Sequence, residues 1–266
     1  MFEKQEKHYL LFKQILKYEF NKRGSTLIIQ CNLKVALSLS FIPVLSHHCE
    51  FLENVCTVGY ICLMTNKTHW NAIYRTKTPE ELSWTEDVPR TSLDFIGTFN
   101  LPKDARIIDI GGGDSHLVDH LLAQGYKHIT VLDISEEALH RARQRLGDKA
   151  ASVQWIISDI TDFRPMSAYD VWHDRATFHF LTTTSQITCY LSTARRAIHT
   201  GGYAVIGTFS DNGPEKCSGL PIRQYNEQDL TQELENGFKK IKCITKDHHT
   251  PFNTLQNFLF CSFKRA

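Results

Sequence analysis

Arg106-Ile107-Ile108-Asp109-Ile110-Gly111-Gly112-Gly113-Asp114-Ser115 decides the reading of this chain. A short apolar run, RIIDI, reads as a buried strand; a cluster of glycines follows, and the helical spacing of Ser115–Gln124 begins at once. Strand, glycine turn and helix in that order bring free amide hydrogens to a ligand that approaches the backbone closely. A phosphate loop would close on Gly-Lys-Ser/Thr, and none is present. A dinucleotide fingerprint would carry a third glycine where His116 stands, a side chain too large for close helix–strand contact. What remains is acid-x-Gly-x-Gly. Asp109 would repel a pyrophosphate and suits a cationic or amine-bearing ligand.

Outward from this turn the same rhythm repeats. Strand-like runs at His128–Asp133, Val153–Ser158, Tyr169–Trp172 and Tyr203–Phe209 alternate with helical stretches at Glu136–Leu146, Gln186–Ile198 and Glu227–Leu234. Ser135 and Asn226 stand where N-caps belong, Gly147 where a helix stops, and Gly201-Gly202 read as the break after the third helical stretch. Two last strands, Ile241–Lys246 and Asn257–Phe263, close the chain. Alternation of this kind predicts an α/β fold, a doubly wound and mostly parallel sheet with helices on both faces. Asp133, with Ile134 beside it, ends the second strand, where an acid can bond both hydroxyls of a ribose. Asp159 ends the third, where it could accept from an adenine amino group while Ile160 packs the ring.

The order Asp109-x-Gly111-x-Gly113, Asp133, Asp159, Tyr169-Asp170-Val171 and Gly201-Gly202 resembles the class I S-adenosylmethionine-dependent methyltransferases. The resemblance covers about Lys67 to Arg265. It implies a seven-stranded sheet with an antiparallel last strand, and S-adenosyl-L-methionine as cofactor. It places Gly111, Gly112 and Gly113 under the methionine part, Asp109 near its amino group, Asp133 on the ribose and Asp159 with Ile160 at the adenine. His69-Trp70-x-x-x-Tyr74 and Trp84 are similar to a pattern that precedes the core in the branch of lysine methyltransferases acting on citrate synthase and elongation factor, where it forms a lid. That branch also has an Asp-Lys-Gly-Thr-like stretch where Asp174-Arg175-Ala176-Thr177 stands here; Arg for Lys and Ala for Gly leave the acceptor open. Candidates for steering or deprotonating it are Asp174, His173 and His179. The turn-rich loop after Phe209 could cover the acceptor, with Arg223 and Tyr225 as polar contacts. The expected activity is methyl transfer to a small molecule or a protein lysine. A cofactor-binding module without catalysis is the alternative, and a hydride-transferring enzyme a weaker one.

Composition narrows the partners. Thirty basic against 29 acidic side chains in 266 residues lack the surplus of a nucleic-acid binder. The eight cysteines fall in no zinc-ligand spacing, His248-His249 lacks further ligands, and no metal is expected. Reduced thiols, no apolar run of roughly 18 residues and no leader pattern point to a cytoplasmic protein that binds no membrane. The chain changes character near Met64: four of the eight cysteines precede it, and strand–helix rhythm follows it. Residues 1–63 are therefore read as an extension whose presence in the native protein is open, Met64 being the expected start of a domain over 64–266. The first 20 residues could form an amphipathic helix with Leu11, Phe12, Ile15 and Leu16 on one face.

Overall fold

The computed structural model describes residues 66–266 throughout and, before them, the backbone of two strands, Leu16–Phe20 (β1) and Leu27–Cys31 (β2). The chain divides into two compact units, Met1–Leu63 and Met64–Ala266. In the first, β1 and β2 pair antiparallel, Leu16 opposite Cys31. This corrects the expected helix at its C-terminal end, since Leu16 belongs to a strand; Leu11, Phe12 and Ile15 lie outside the described residues.

The second unit opens with a helix over residues 66–76 (α1) and another at Arg90–Gly97 (α2). Then come Arg106–Ile110 (β3), Leu117–Ala123 (α3), His128–Asp133 (β4), Glu136–Leu146 (α4), Val153–Ile157 (β5) and Tyr169–Arg175 (β6). Thr184–Ala197 (α5), Ile198–Phe209 (β7), the short pair Lys216–Cys217 (β8) and Leu220–Pro221 (β9), Glu227–Leu234 (α6), Phe238–His249 (β10) and Leu255–Arg265 (β11) complete it. Seven strands form one sheet in the order β10-β11-β7-β6-β3-β4-β5. β11, the last strand, is antiparallel to both of its neighbours, and the pairs from β7 through β5 are all parallel. The expected fold class is the observed one.

The alternation of side chains along each strand divides the core. Ile108, Ile110, Trp172, Ala204 and Ile206 face α5 and α6, meeting Tyr190, Ala194 and Leu230. Ile107, Ile129, Val131 and Val171 face the other way, against Leu117, Leu121 and Leu139 of α3 and α4. Each large aliphatic side chain so buried contributes roughly 1.5–3 kcal/mol. The caps are where the sequence puts them: Ser135 Oγ accepts from Ala138 N at 3.2 Å, and Asn226 Oδ1 from Asp229 N at 2.9 Å.

Three local readings change. β6 runs three residues past Trp172, because His173 and Asp174 find partners for their polar groups inside the core and Arg175 finds them at its margin. Gly201-Gly202 do not end the helix: α5 already stops at Ala197, and β7 continues through them with a shift of register against β6, Gly201 taking φ +88°. Cys243 and Cys261 face each other across β10 and β11 and form a disulfide, against the expectation of reduced thiols throughout. Their separation of 18 residues carries no spacing signal; only strand register brings them together.

Candidate functional site

Parallel strands that all end at one edge gather their terminal residues there, and the crevice opens where the order of connections reverses. Here the reversal lies between β3 and β6, neighbours in the sheet although β4 and β5 come between them in the chain. A cleft of about 450 Å³ occupies this edge. On one side it is lined by Asp109, Gly111, Gly112, Asp133, Ile134, Asp159 and Ile160, and across it by Trp70, Tyr74, Trp84 and Phe180.

The glycine turn is shaped by what surrounds it. A Cβ on Gly112 would fall 2.6 Å from Asp109 Oδ2 and 2.8 Å from Val131 Cγ1. Gly113, at φ +52°, would place one 2.7 Å from the Tyr74 hydroxyl and 3.4 Å from Asp133 Oδ2. Glycine therefore lets the turn nest against two carboxylates and a phenol. Gly113 does not line the cleft itself; its amide faces the Asp133 carboxylate.

Asp133 Oδ1 accepts from Ser135 N at 2.7 Å. Burial pushes its carboxyl up to about 7, against the pull of the Ser135 and Gly113 amides and with a further push from Asp109 and Asp114. Burial and the nearby Asp133 also raise the Tyr74 hydroxyl. Asp159 commits Oδ1 to Thr161, accepting from its amide at 2.8 Å and its hydroxyl at 2.7 Å. Trp70 meets Trp84 edge-on at 5.8 Å and Phe180 at 5.2 Å, forming an aromatic wall.

Only one of the three expected catalytic side chains lies at the cleft. His173 lines it, with Nδ1 2.7 Å from Asp109 Oδ1 and Nε2 2.8 Å from Ser92 Oγ. A carboxylate only accepts, so Nδ1 carries a hydrogen. Asp174 points into the core instead. Its Oδ1 accepts from the amides of Thr177 at 2.9 Å and Phe178 at 3.1 Å, and its Oδ2 from the Tyr190 hydroxyl at 2.7 Å. Burial raises it to about 6 despite these bonds. His179 is fully buried between Phe180 and Phe209, its Nδ1 accepting weakly from Phe209 N at 3.3 Å, and burial holds it down at about 3. Nor do the expected substrate contacts reach the cleft: Arg223 pairs with Glu233 at 2.8 Å and lies over the Tyr225 ring, which is buried in the core.

Other residues stand at the far end of the cleft, past β6: Ser92, Glu86, Arg175, Phe209, Cys217, Gln256 and Phe258. They come from five separate segments, so no local motif announces them. Arg175 Nη1 donates to the Trp84 carbonyl at 2.9 Å, and Nη2 lies 3.2 Å from Glu86 Oε1. Glu86 in turn sits 2.9 Å from His248 Nδ1; burial pushes its carboxyl up, but the hydrogen bond with His248 and the charge of Arg175 bring it below its usual range. Burial pushes the Cys217 thiol up to about 11.

Residues 101–257 match the family described as "Methyltransferase domain", more than half of the chain. The chain belongs to that family. This methyltransferase domain is 33% identical over 107 residues to malonyl-[acyl-carrier protein] O-methyltransferase of Anoxybacillus flavithermus, covering 40% of this chain and 39% of that protein. It is 25% identical over 181 residues to the eEF1A lysine and N-terminal methyltransferase of Mus musculus, covering 60% and 26%. The chain thus spans about two fifths or less of these relatives. Its fold is shared with the N-methyltransferase NodS of Bradyrhizobium japonicum, solved with S-adenosyl-L-homocysteine, at a TM-score of 0.51 and 16% identity over 68% of this chain and 89% of that one. Among the described residues no helix is long and apolar enough to cross a membrane.

Proposed function

We propose that this methyltransferase domain uses S-adenosyl-L-methionine to methylate a small molecule. One observation carries the reading. Asp109, Asp133 and Asp159 stand at or just past the carboxyl ends of three adjacent parallel strands, around a glycine turn, in a cleft that continues past β6 to Phe209 and Phe258 with Glu86, Arg175 and Gln256 among them. The cradle suits the cofactor: Asp133 for the ribose, Asp159 Oδ2 with Ile160 for the adenine, Asp109 for the amino group, and Trp70 with Trp84 as cover. When bound, the cofactor would supply a methyl activated by its sulfonium, for transfer in line to a nucleophile as S-adenosyl-L-homocysteine leaves. The chain's task is then positioning, which can supply roughly 7–11 kcal/mol of acceleration, while a general base would add only about 10²–10⁴-fold. His173 holds Asp109 in place, and with both nitrogens engaged it serves as a positioning residue.

The acceptor end favours a small molecule over a protein lysine. Phe180, Phe209 and Phe258 form its walls, and Glu86, its carboxylate, is already flanked by Arg175 and His248. An incoming ammonium finds no uncommitted acid there. Incubating a lysate with radiolabelled cofactor and separating protein from low-mass material tests this. Label is expected in the low-mass fraction; label in protein would overturn the acceptor, and failure to bind the cofactor would overturn the whole reading.

A further inference from the structure

The acceptor end holds two buried polar atoms that make no hydrogen bond among the described residues. Arg175 Nη2 is buried and makes no hydrogen bond among the described residues, although Glu86 Oε1 lies 3.2 Å away as an ion-pair partner. Gln256 Oε1 is likewise buried without a partner. Both residues line the same cleft, Arg175 from the end of β6 and Gln256 from the start of β11. A buried polar atom without a hydrogen bond is costly, so such atoms at a cleft wall mark where a ligand completes the bonding.

The surroundings define that ligand. The Arg175 guanidinium lies 5.3 Å above the Phe258 ring, with Phe209, Phe180 and Cys217 also lining this part of the cleft. Its side chain is only 12% exposed. Glu86, its ion-pair partner, is shared between Arg175 and His248, whose other nitrogen lies 2.6 Å from the Ser83 carbonyl, and Asp109 acts on Arg175 from farther along the cleft. Glu86 is thus divided between two side chains, and Arg175 Nη2 keeps a donor without a hydrogen bond among the described residues. Arginine offers a planar fork that matches a carboxylate. Turning the Gln256 amide by half a turn presents its NH₂ to the same group. Building on the methyltransferase reading, we propose that Arg175 and Gln256 anchor the acceptor, and that the acceptor is a compact molecule with an apolar body and a carboxylate.

Three probes of one shape and different charge test this: phenylacetate, phenylacetamide and phenethylamine. Each is titrated into the protein saturated with S-adenosyl-L-homocysteine, followed by calorimetry and thermal shift. Phenylacetate should bind, and the amide and amine at least about tenfold more weakly. Arg175→Gln should abolish that preference, and Gln256→Leu should weaken phenylacetate alone. Should Arg175→Gln fail to fold, Arg175→Lys and Gln256→Leu carry the comparison, the lysine variant losing about tenfold because one ammonium cannot reproduce the fork. Equal or tighter binding of the amide or amine would overturn the proposal. So would no binding of any probe at about 10 mM, or an undiminished carboxylate preference in folded Arg175 and Gln256 variants. Failure to bind S-adenosyl-L-homocysteine in the first step would instead overturn the methyltransferase reading beneath it.

Discussion

Asp133 and Asp174 are both buried strand-end carboxylates, yet their surroundings give them different work. Asp133 opens onto the cleft, with one oxygen on the Ser135 amide. Its folded value of about 7 lies above its ordinary one, so the folded state favours the protonated form. That contribution is fully present below the ordinary carboxylate range and is lost as pH rises through 7. Asp133→Asn should therefore raise Tm at pH 8, by roughly 2–4 °C for each kcal/mol regained, and the gain should shrink as pH falls toward 4. The same change should cost cofactor affinity at least about tenfold, since a charge-assisted bond contributes roughly 1.5–3 kcal/mol. Thermal unfolding against pH, with calorimetry on the same variant, reads both effects. Asp174 has no such exposure. Asp174→Ala strands two amides and the Tyr190 hydroxyl in the core and should destabilise by about 3 kcal/mol or more. Cofactor affinity measured on the folded fraction should stay near wild type; a selective loss of binding or turnover would return Asp174 to the site.

Helix α1 holds the aromatic cover to the sheet through a few polar contacts. Asn71 Oδ1 accepts from Ser135 Oγ at 2.8 Å, and Arg75 pairs with Glu137 at 2.7 Å. The first bond ties α1 to the residue that caps α4, two positions beyond Asp133. The second is exposed and contributes little. Trp70 and Tyr74 ride on the same helix, so its docking decides whether the cleft is covered. Asn71→Ala should leave the global stability within about 1–2 kcal/mol of wild type. It should speed hydrogen exchange in residues 66–76 and weaken cofactor binding several-fold. Unchanged exchange there would show that aromatic packing alone holds the helix.

For the whole molecule, the raised carboxyls and the depressed histidine act in opposite directions. Asp133 at about 7 and Asp174 at about 6 both lose stabilisation as pH rises from 4 to 7. His179, at about 3 in the fold, takes up a proton more readily when unfolded, so it withdraws stability as pH falls from 6.5 toward 3. Stability should peak at mildly acidic pH. His179→Phe, which keeps an aromatic ring between Phe180 and Phe209, should flatten the acid limb and leave the limb above pH 7 unchanged. Denaturant unfolding at stepped pH checks it; an identical acid limb in the variant would mean that His179 already titrates freely.

The sheet, its parallel core and its glycine turn are legible in the chain before folding, because they rest on local patterns. RIIDI, HITVLD and EEALHRARQRL match β3, β4 and α4 residue for residue. Residues at or just past a strand's carboxyl end lie at the sheet's edge, so Asp109, Asp133 and Asp159 could be placed near the cleft before any coordinates. Where side chains point beyond the strand ends was a different matter. His173 and Asp174 are neighbours on β6 and His179 lies in the turn after it, but the Thr177 and Phe178 amides draw Asp174 inward, and Phe209 with Phe180 encloses His179. Arg175, Glu86, Gln256 and Phe258 meet only because β6, the segment before α2 and β11 converge on one edge. The Cys243–Cys261 bond depends in the same way on antiparallel register. Periodicity records which face a residue prefers; which distant residue it meets there is set by the packing of the whole chain.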